Sequence, residues 1–159
     1  MNAAPANPGV RFPPPLIFVL GLGAGLALER WVLAWPLVAA PRELWLSLHA
    51  AGTALAAIWL IGSALGGFRR RGTDPRPWRE DSALVEAGIY RHTRNPMYLG
   101  MALAYVAITL ALNTLWPLLT LVPVLFVIRY YVIGREEAYL TRHFGQPYLD
   151  YCQRVRRWF

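Results

Sequence analysis

Four apolar blocks dominate this chain and limit what it can fold into. They cover residues 16–35, 44–65, 97–112 and 115–133. An α-helix rises ~1.5 Å per residue, so about 20 residues cross a ~30 Å hydrocarbon core. Apolar residues make up 56% of the chain and fall in continuous runs rather than at amphipathic spacing. Continuous runs indicate helices surrounded by lipid, not helices with one dry face. The first block is too long for the apolar stretch of a signal peptide, and Arg11 is a thin basic leader. Val38-Ala39-Ala40 resembles a cleavage site but runs straight into Pro41. The expected fold class is therefore all-α and integral to the membrane: four transmembrane helices, a cytosolic 68–96 loop and an amphipathic helical tail.

The chain divides into three regions. Residues 1–15, Pro- and Ala-rich and closing on Pro13-Pro14-Pro15, read as a disordered or extended lead. Residues 16–67 form a pair of transmembrane helices rich in small residues, among them Gly21, Gly23 and Gly25 in the first and Ala50, Ala54 and Ala57 in the second. Small residues let helices approach closely in lipid, so these two helices are expected to pack on each other. Residues 68–159 form the core that carries the motifs. There, the 68–96 stretch is too charged and Pro-rich to be one long helix. Asn113-Thr114 alone joins blocks three and four, and so short a connection makes an antiparallel hairpin. Pro123 is expected to kink the fourth helix. Gly145 ends one helix of the tail and Pro147 starts another. Tyr148, Tyr151, Cys152, Val155 and Phe159 then recur at helical spacing.

The net charge is +7, and all sixteen basic residues are Arg. Seven of them (Arg69, Arg70, Arg71, Arg76, Arg79, Arg91, Arg94) lie in the 68–96 loop, and five (Arg135, Arg142, Arg154, Arg156, Arg157) lie in the tail. Clusters placed just after apolar blocks point to anionic lipid headgroups rather than nucleic acid. The positive-inside rule places both termini and the long loop in the cytoplasm, in what is expected to be a bacterial inner membrane. Cys152 is the single cysteine, so no intrachain disulfide forms. His49, His92 and His143 lack metal-ligand spacing, and no metal is expected.

Two stretches carry chemistry. The first runs from Gly88 to Gly100 and reads GIYRHTRNPMYLG. Pro96 suits the first position of a helix and Asn95 its N-cap, with Arg91 and Arg94 beside them. Such a helix start attracts anions. Tyr and Arg at this level also serve as interfacial anchors, and composition alone does not separate the two roles. The second stretch holds Arg129, then Arg135-Glu136-Glu137. Seven residues are almost two helical turns, so Arg129 and Glu136 share a face if the helix is regular. A charge inside a membrane helix needs a partner or an aqueous cavity; the alternative is an Arg129 that snorkels to headgroups. Glu29-Arg30, by contrast, reads as a structural pair at the outer interface.

Together the two stretches resemble the isoprenylcysteine carboxyl methyltransferase and phospholipid methyltransferase superfamily. Its pattern, G-x-Y-x-x-x-R-H-P-x-Y-x-G, a membrane hairpin, then E-E-x-x-L-x-x-x-F-G-x-x-Y-x-x-Y, is met here by Gly88, Tyr90, Arg94, Pro96, Tyr98 and Gly100. Glu136, Glu137, Leu140, Phe144, Gly145, Tyr148 and Tyr151 come next, in order. The match covers about residues 68–158. The resemblance implies methyl transfer from S-adenosylmethionine to a lipid or lipophilic acceptor at the cytosolic face. It assigns cofactor contacts to Tyr90, Arg94, Asn95, Pro96, Tyr98, Gly100, Arg135, Glu136 and Glu137. Arg129 and Glu137 are the expected catalytic pair. Asn95 stands where many members have His; an amide does not titrate near neutral pH, so only a positioning role carries over. Two other readings share these features. Membrane sterol reductases have a similar helical core and use a nicotinamide cofactor, and a non-catalytic scaffold needs only the basic loop.

The Arg asymmetry fixes a topology that cysteine labelling tests. On a Cys152→Ser background, a membrane-impermeant thiol probe outside the cell should label Asn113→Cys and leave Asp74→Cys untouched. The reverse pattern refutes cytoplasmic termini.

Overall fold

Lipid leaves a backbone no hydrogen-bond partner but itself. Every regular element in the described part of this chain is helical. The computed structural model describes residues 8–38, 44–72 and 83–158. Helices α1 (Pro14–Trp31), α2 (Leu44–Arg71), α3 (Pro96–Leu112) and α4 (Trp116–Val127) form the apolar body. A π-helical turn, Ile128–Ile133, carries α4 without a break into α5 (Gly134–Phe144), with α6 (Gln146–Arg154) beyond it. A short 3-10 turn, Gly88–Arg91, precedes α3.

Two helices are long and apolar enough to cross a membrane: α2, with 28 residues, and the unbroken run Trp116–Phe144, with 29. Only 22% and 33% of their apolar windows are buried inside the protein, whereas the core helix of a water-soluble protein is mostly buried. The remaining flank, including Leu48, Leu55, Ile58, Val122 and Phe126, is exposed apolar surface of a kind that water-soluble monomers rarely present. Helix α3, at 17 residues, is apolar but shorter. Trp31, Trp35, Trp45 and Trp116 lie at helix ends away from the motif stretches, as interfacial aromatics do.

The small residues do bring helices together, but with different partners from those expected. Helix α1 packs on α4 and α2 packs on α3, while α1 and α2 share little contact. A Cβ on Gly25 would lie 2.6 Å from Pro117 Cα, and one on Gly100 would lie 2.6 Å from Ile61 Cγ1 and 3.2 Å from the Ala57 carbonyl. Gly21 faces Val124 in the same way. The close-approach faces of α1 and α2 are thus turned toward the hairpin between them. Phe18, Tyr105, Leu121, Val124 and Ile128 fill the main core. The Tyr105 and Thr120 hydroxyls pair at 2.8 Å, which leaves neither polar group stranded.

The hairpin turn is tied to the end of α1. Asn113 takes a left-handed conformation (φ 50°), which Asn tolerates. Its amide donates to the Val38 carbonyl (3.1 Å) and accepts from the Val38 N–H (3.0 Å). Glu29 accepts from the Thr114 hydroxyl at 2.6 Å and from the Trp35 N–H at 3.1 Å, so it fastens the turn instead of forming the expected pair with Arg30.

The 68–96 loop is shorter than its composition implies, because α2 continues through Arg71. Arg69, Arg70 and Arg71 occupy its last turn, where cations complement the helix dipole. The Pro-rich residues 73–82 and the lead residues 1–7 lie outside the described residues. Gly145 (φ 60°) does separate two tail helices. The second ends at Arg154, however, and Val155 is extended. Phe159 lies outside the described residues.

The packing separates glycines that meet a neighbour from one that does not. Gly25→Ala and Gly100→Ala should each destabilise the protein by ~1–3 kcal/mol through overpacking. At Gly23 a methyl group would meet nothing within 4 Å, so Gly23→Ala should hold or raise stability. Thermal unfolding in detergent distinguishes the three.

Candidate active site

The 3-10 turn and the start of α3 are held from both sides. Gly88 opens the turn at φ 66°, a conformation that glycine adopts without strain. The Tyr90 ring is buried against Gly67 of α2 and meets the Phe68 ring edge-on at 5.7 Å. Its carbonyl accepts a 2.7 Å hydrogen bond from the Tyr151 hydroxyl of α6. Pro96 occupies the first turn of α3 and Asn95 the N-cap position. The Asn95 side chain does not cap the helix; its Nδ2 donates to the Arg157 carbonyl at 3.0 Å. The Thr93 hydroxyl donates to the same carbonyl (3.2 Å), and the Arg94 N–H donates to the Arg156 carbonyl (3.0 Å). Residues 156–157 therefore lie along residues 93–95.

That docking brings a third partner to the charged motifs. Glu137, in the first turn of α5, receives both arms of Arg157: Nε to Oε1 at 2.9 Å and Nη2 to Oε2 at 2.5 Å. Arg94 Nη2 stands 3.4 Å from Glu137 Oε1. A carboxylate shared by two guanidinium groups is a charge-assisted, geometrically fixed arrangement. The hydrogen bonds that Arg157 donates to Glu137 raise its pKa above the ordinary value, so this cation stays charged. The Tyr98 hydroxyl donates to Glu136 Oε1, and Arg94 Nη1 contacts the Cys152 sulfur. Arg94 Nε is buried and has no hydrogen-bond partner among the described residues. Burial pushes the Tyr148 and Tyr151 hydroxyls well above the ordinary tyrosine range, so both remain neutral at physiological pH.

These groups border a cleft of about 120 Å³. Tyr90, Arg94, Asn95, Pro96 and Tyr98 come from one motif stretch; Glu136 and Glu137 come from the other. Tyr148 and Tyr151 of α6 close it. Three residues of the expected site lie elsewhere. Gly100 is the contact between α3 and α2. Arg135 donates to the Gly9 carbonyl at 3.1 Å and stacks over Tyr131, so it holds the N-terminal segment. Arg129 lines a separate apolar groove between α3 and α4. The shared face expected for Arg129 and Glu136 is broken by the π-helical turn between them. Its i→i+5 bonds accommodate one extra residue, which rotates the rest of the helix by roughly 100°.

Arg157 is not legible as a site residue from the sequence. There it belongs to a basic run with Arg154 and Arg156, indistinguishable from a solvated face. No local spacing relates it to Glu137, 20 residues earlier. Among the described residues, no group of three or more His, Cys, Asp and Glu side chains is placed to hold a metal.

An all-helical body, two helices long and apolar enough to cross a membrane and a charged cleft at the mouth of a helical hairpin mark the class of helical membrane-associated proteins. The phospholipid methyltransferase family model matches residues 44–147, and the chain belongs to that family of membrane methyltransferases. A 62-residue stretch is 42% identical to an uncharacterized protein of Haemophilus influenzae, covering 39% of this chain and 98% of that protein. No solved structure matches the chain.

The Glu137–Arg157 pair makes a thermodynamic prediction. In a double-mutant cycle of Glu137→Gln and Arg157→Ala, the coupling in unfolding free energy should reach about 1 kcal/mol or more, as for residues in one ion-pair network. Arg156→Ala, which uses only its backbone carbonyl here, should show no coupling to Glu137.

Proposed function

We propose that this protein transfers a methyl group from S-adenosylmethionine to a lipophilic or membrane-presented acceptor at the cytosolic membrane face. The observation that carries the reading is the convergence of two motif stretches, separated by the whole hairpin, on one cleft with an unmet donor. Buried Arg94 Nε meets no acceptor among the described residues, and an orphaned donor of this kind is costly unless a ligand meets it. The residues fit a cofactor that is a carboxylate, an ammonium, a sulfonium and a ribose in one molecule. Arg94 would take the carboxylate. Glu136 and Glu137 would take the ammonium or the ribose hydroxyls. Tyr90, Tyr98 and Tyr148 complete the lining of the cleft with aromatic surface.

When bound, S-adenosylmethionine supplies a methyl group already activated for displacement. The chain's own residues then have mainly to align donor and acceptor and to exclude water. Glu137, engaged by Arg157 and Arg94, serves to position rather than to accept a proton. Glu136, held by Tyr98, is the base if the acceptor is an amine. A carboxylate or thiolate acceptor needs none. The neutral Tyr148 hydroxyl supplies a donor without adding charge, whereas the Tyr151 proton is committed to the Tyr90 carbonyl. In this reading α1 and α3 also cross the bilayer, giving four spans with both termini inside. The basic end of α2 faces the cytoplasm.

S-adenosylhomocysteine should stabilise the detergent-purified protein, by ~2.7 kcal/mol at a hundredfold excess over its dissociation constant. Glu137→Gln and Arg94→Ala should each weaken its binding at least about tenfold, since ~1.4 kcal/mol is a decade. Stabilisation by NADPH instead, with none by S-adenosylhomocysteine, overturns the reading in favour of a reductase. No response to either favours a scaffold.

A further inference from the structure

Two apolar grooves of similar size flank α3, and they differ in one feature. The groove between α2 and α3 holds about 490 Å³ and is lined by Ala and Ile side chains and Ser47, with no charged group. The groove between α3 and α4 holds about 520 Å³, inside the ~300–1,000 Å³ range of small-molecule sites. Leu99 and Ala102 face Val122, Leu125 and Phe126 along it, and Arg129 stands on its wall. Arg129 lies thirteen residues beyond Trp116 in an unbroken helix, roughly 20 Å along at ~1.5 Å per residue. That depth is still within a ~30 Å hydrocarbon core. Its guanidinium sits 5.4 Å from the Tyr130 ring and, among the described residues, pairs with no carboxylate. A half-buried cation at this depth is costly unless a counter-charge joins it.

The partition between groove and cleft is thin. Tyr98 borders the cleft, and its neighbour Leu99 lines the groove. On the tail, Arg157 grips Glu137 in the cleft while Trp158 lines the groove. A molecule seated in the groove from the lipid side therefore has its polar end beside the cleft wall.

We propose that the α3–α4 groove binds a single-chain anionic amphiphile drawn laterally from the bilayer. Its apolar chain lies between Leu99, Ala102, Leu125 and Phe126, and its anionic group lies on Arg129. Under the methyltransferase reading this amphiphile is the acceptor. The inference thus rests on that reading for the substrate class it names, but the binding itself needs no cofactor.

The test uses the full chain in neutral phosphatidylcholine nanodiscs with a hexadecyl phosphate carrying a mid-chain diazirine, photolysed without cofactor and mapped by mass spectrometry. Labels should fall on the α3–α4 groove. Hexadecyl phosphate and hexadecanoate should compete at least about tenfold better than hexadecanol or hexadecyl phosphocholine, the loss expected for one charge-assisted contact of ~1.4 kcal/mol. Arg129→Gln should abolish that preference, Arg129→Lys should retain it, and Ala102→Trp should block labelling. Ala51→Leu, in the uncharged groove, should change nothing. Should Ala102→Trp fail to fold, the Gln and Lys pair still decides. Labelling in the α2–α3 groove, equal competition by the alcohol, or indifference to Arg129→Gln overturns the proposal. Labelling that survives while S-adenosylhomocysteine fails to bind leaves the groove standing and removes only the methyl-transfer reading.

Discussion

One carboxylate fastens three distant parts of this chain. Glu137 rises from the first turn of α5, Arg94 precedes α3, and Arg157 sits next to the end of the described chain. A half-buried ion of either sign is unfavourable alone, and the arrangement is tolerable only because each charge is matched. Matching has structural consequences. The tail docks along residues 93–95, where its carbonyls meet Asn95, Thr93 and the Arg94 N–H. Helix α6 is thereby drawn under the 3-10 turn, and Tyr151 reaches the Tyr90 carbonyl. The cleft exists because that carboxylate collects its partners.

The π-helical turn settles a second division. A regular helix from Trp116 to Phe144 would set Arg129 and Glu136 on one face. The wide turn at Ile128–Ile133 instead sends Glu136 and Glu137 to the cleft and leaves Arg129 on the apolar groove. Ile128, Val132 and Ile133 are completely buried, so the irregular turn is held by packing rather than exposed to solvent. One helix thereby serves two chemically different cavities, one polar and one apolar, with Trp158 and Leu99 between them. Irregular turns of this type are frequent at functional sites.

Much of this is readable from the sequence, and the reasons are local. Pro96, Asn113, Gly145 and Pro147 mark helix boundaries through backbone constraints that act within a few residues, and each boundary falls where its residue type requires. Tyr90, Arg94, Asn95, Tyr98, Glu136 and Glu137 meet because the hairpin turn is only two residues long and returns the chain to its starting level. The differences between expectation and structure have other origins. Periodicity shows which face of a helix is small but not which neighbour it meets: the small face of α1 suits α2, yet Gly25 meets Pro117 of α4. A basic run looks alike whether solvated or docked, so nothing in it marks Arg157. The π-helical turn leaves no compositional mark in IRYYVI.

The sequence by itself determined that the fold is all-helical with long apolar helices, the helix boundaries set by Pro, Gly and Asn, and the identity of the charged residues bordering the cleft. These depend on hydrophobic length and backbone stereochemistry, which are short-range properties of the chain. Only the tertiary structure decided that α1 pairs with α4 and α2 with α3, that Arg157 completes the Glu137 site, and that Arg129 serves a separate groove. Those outcomes depend on interactions between residues far apart in the chain, or on a change of helical phase, and no local pattern encodes either.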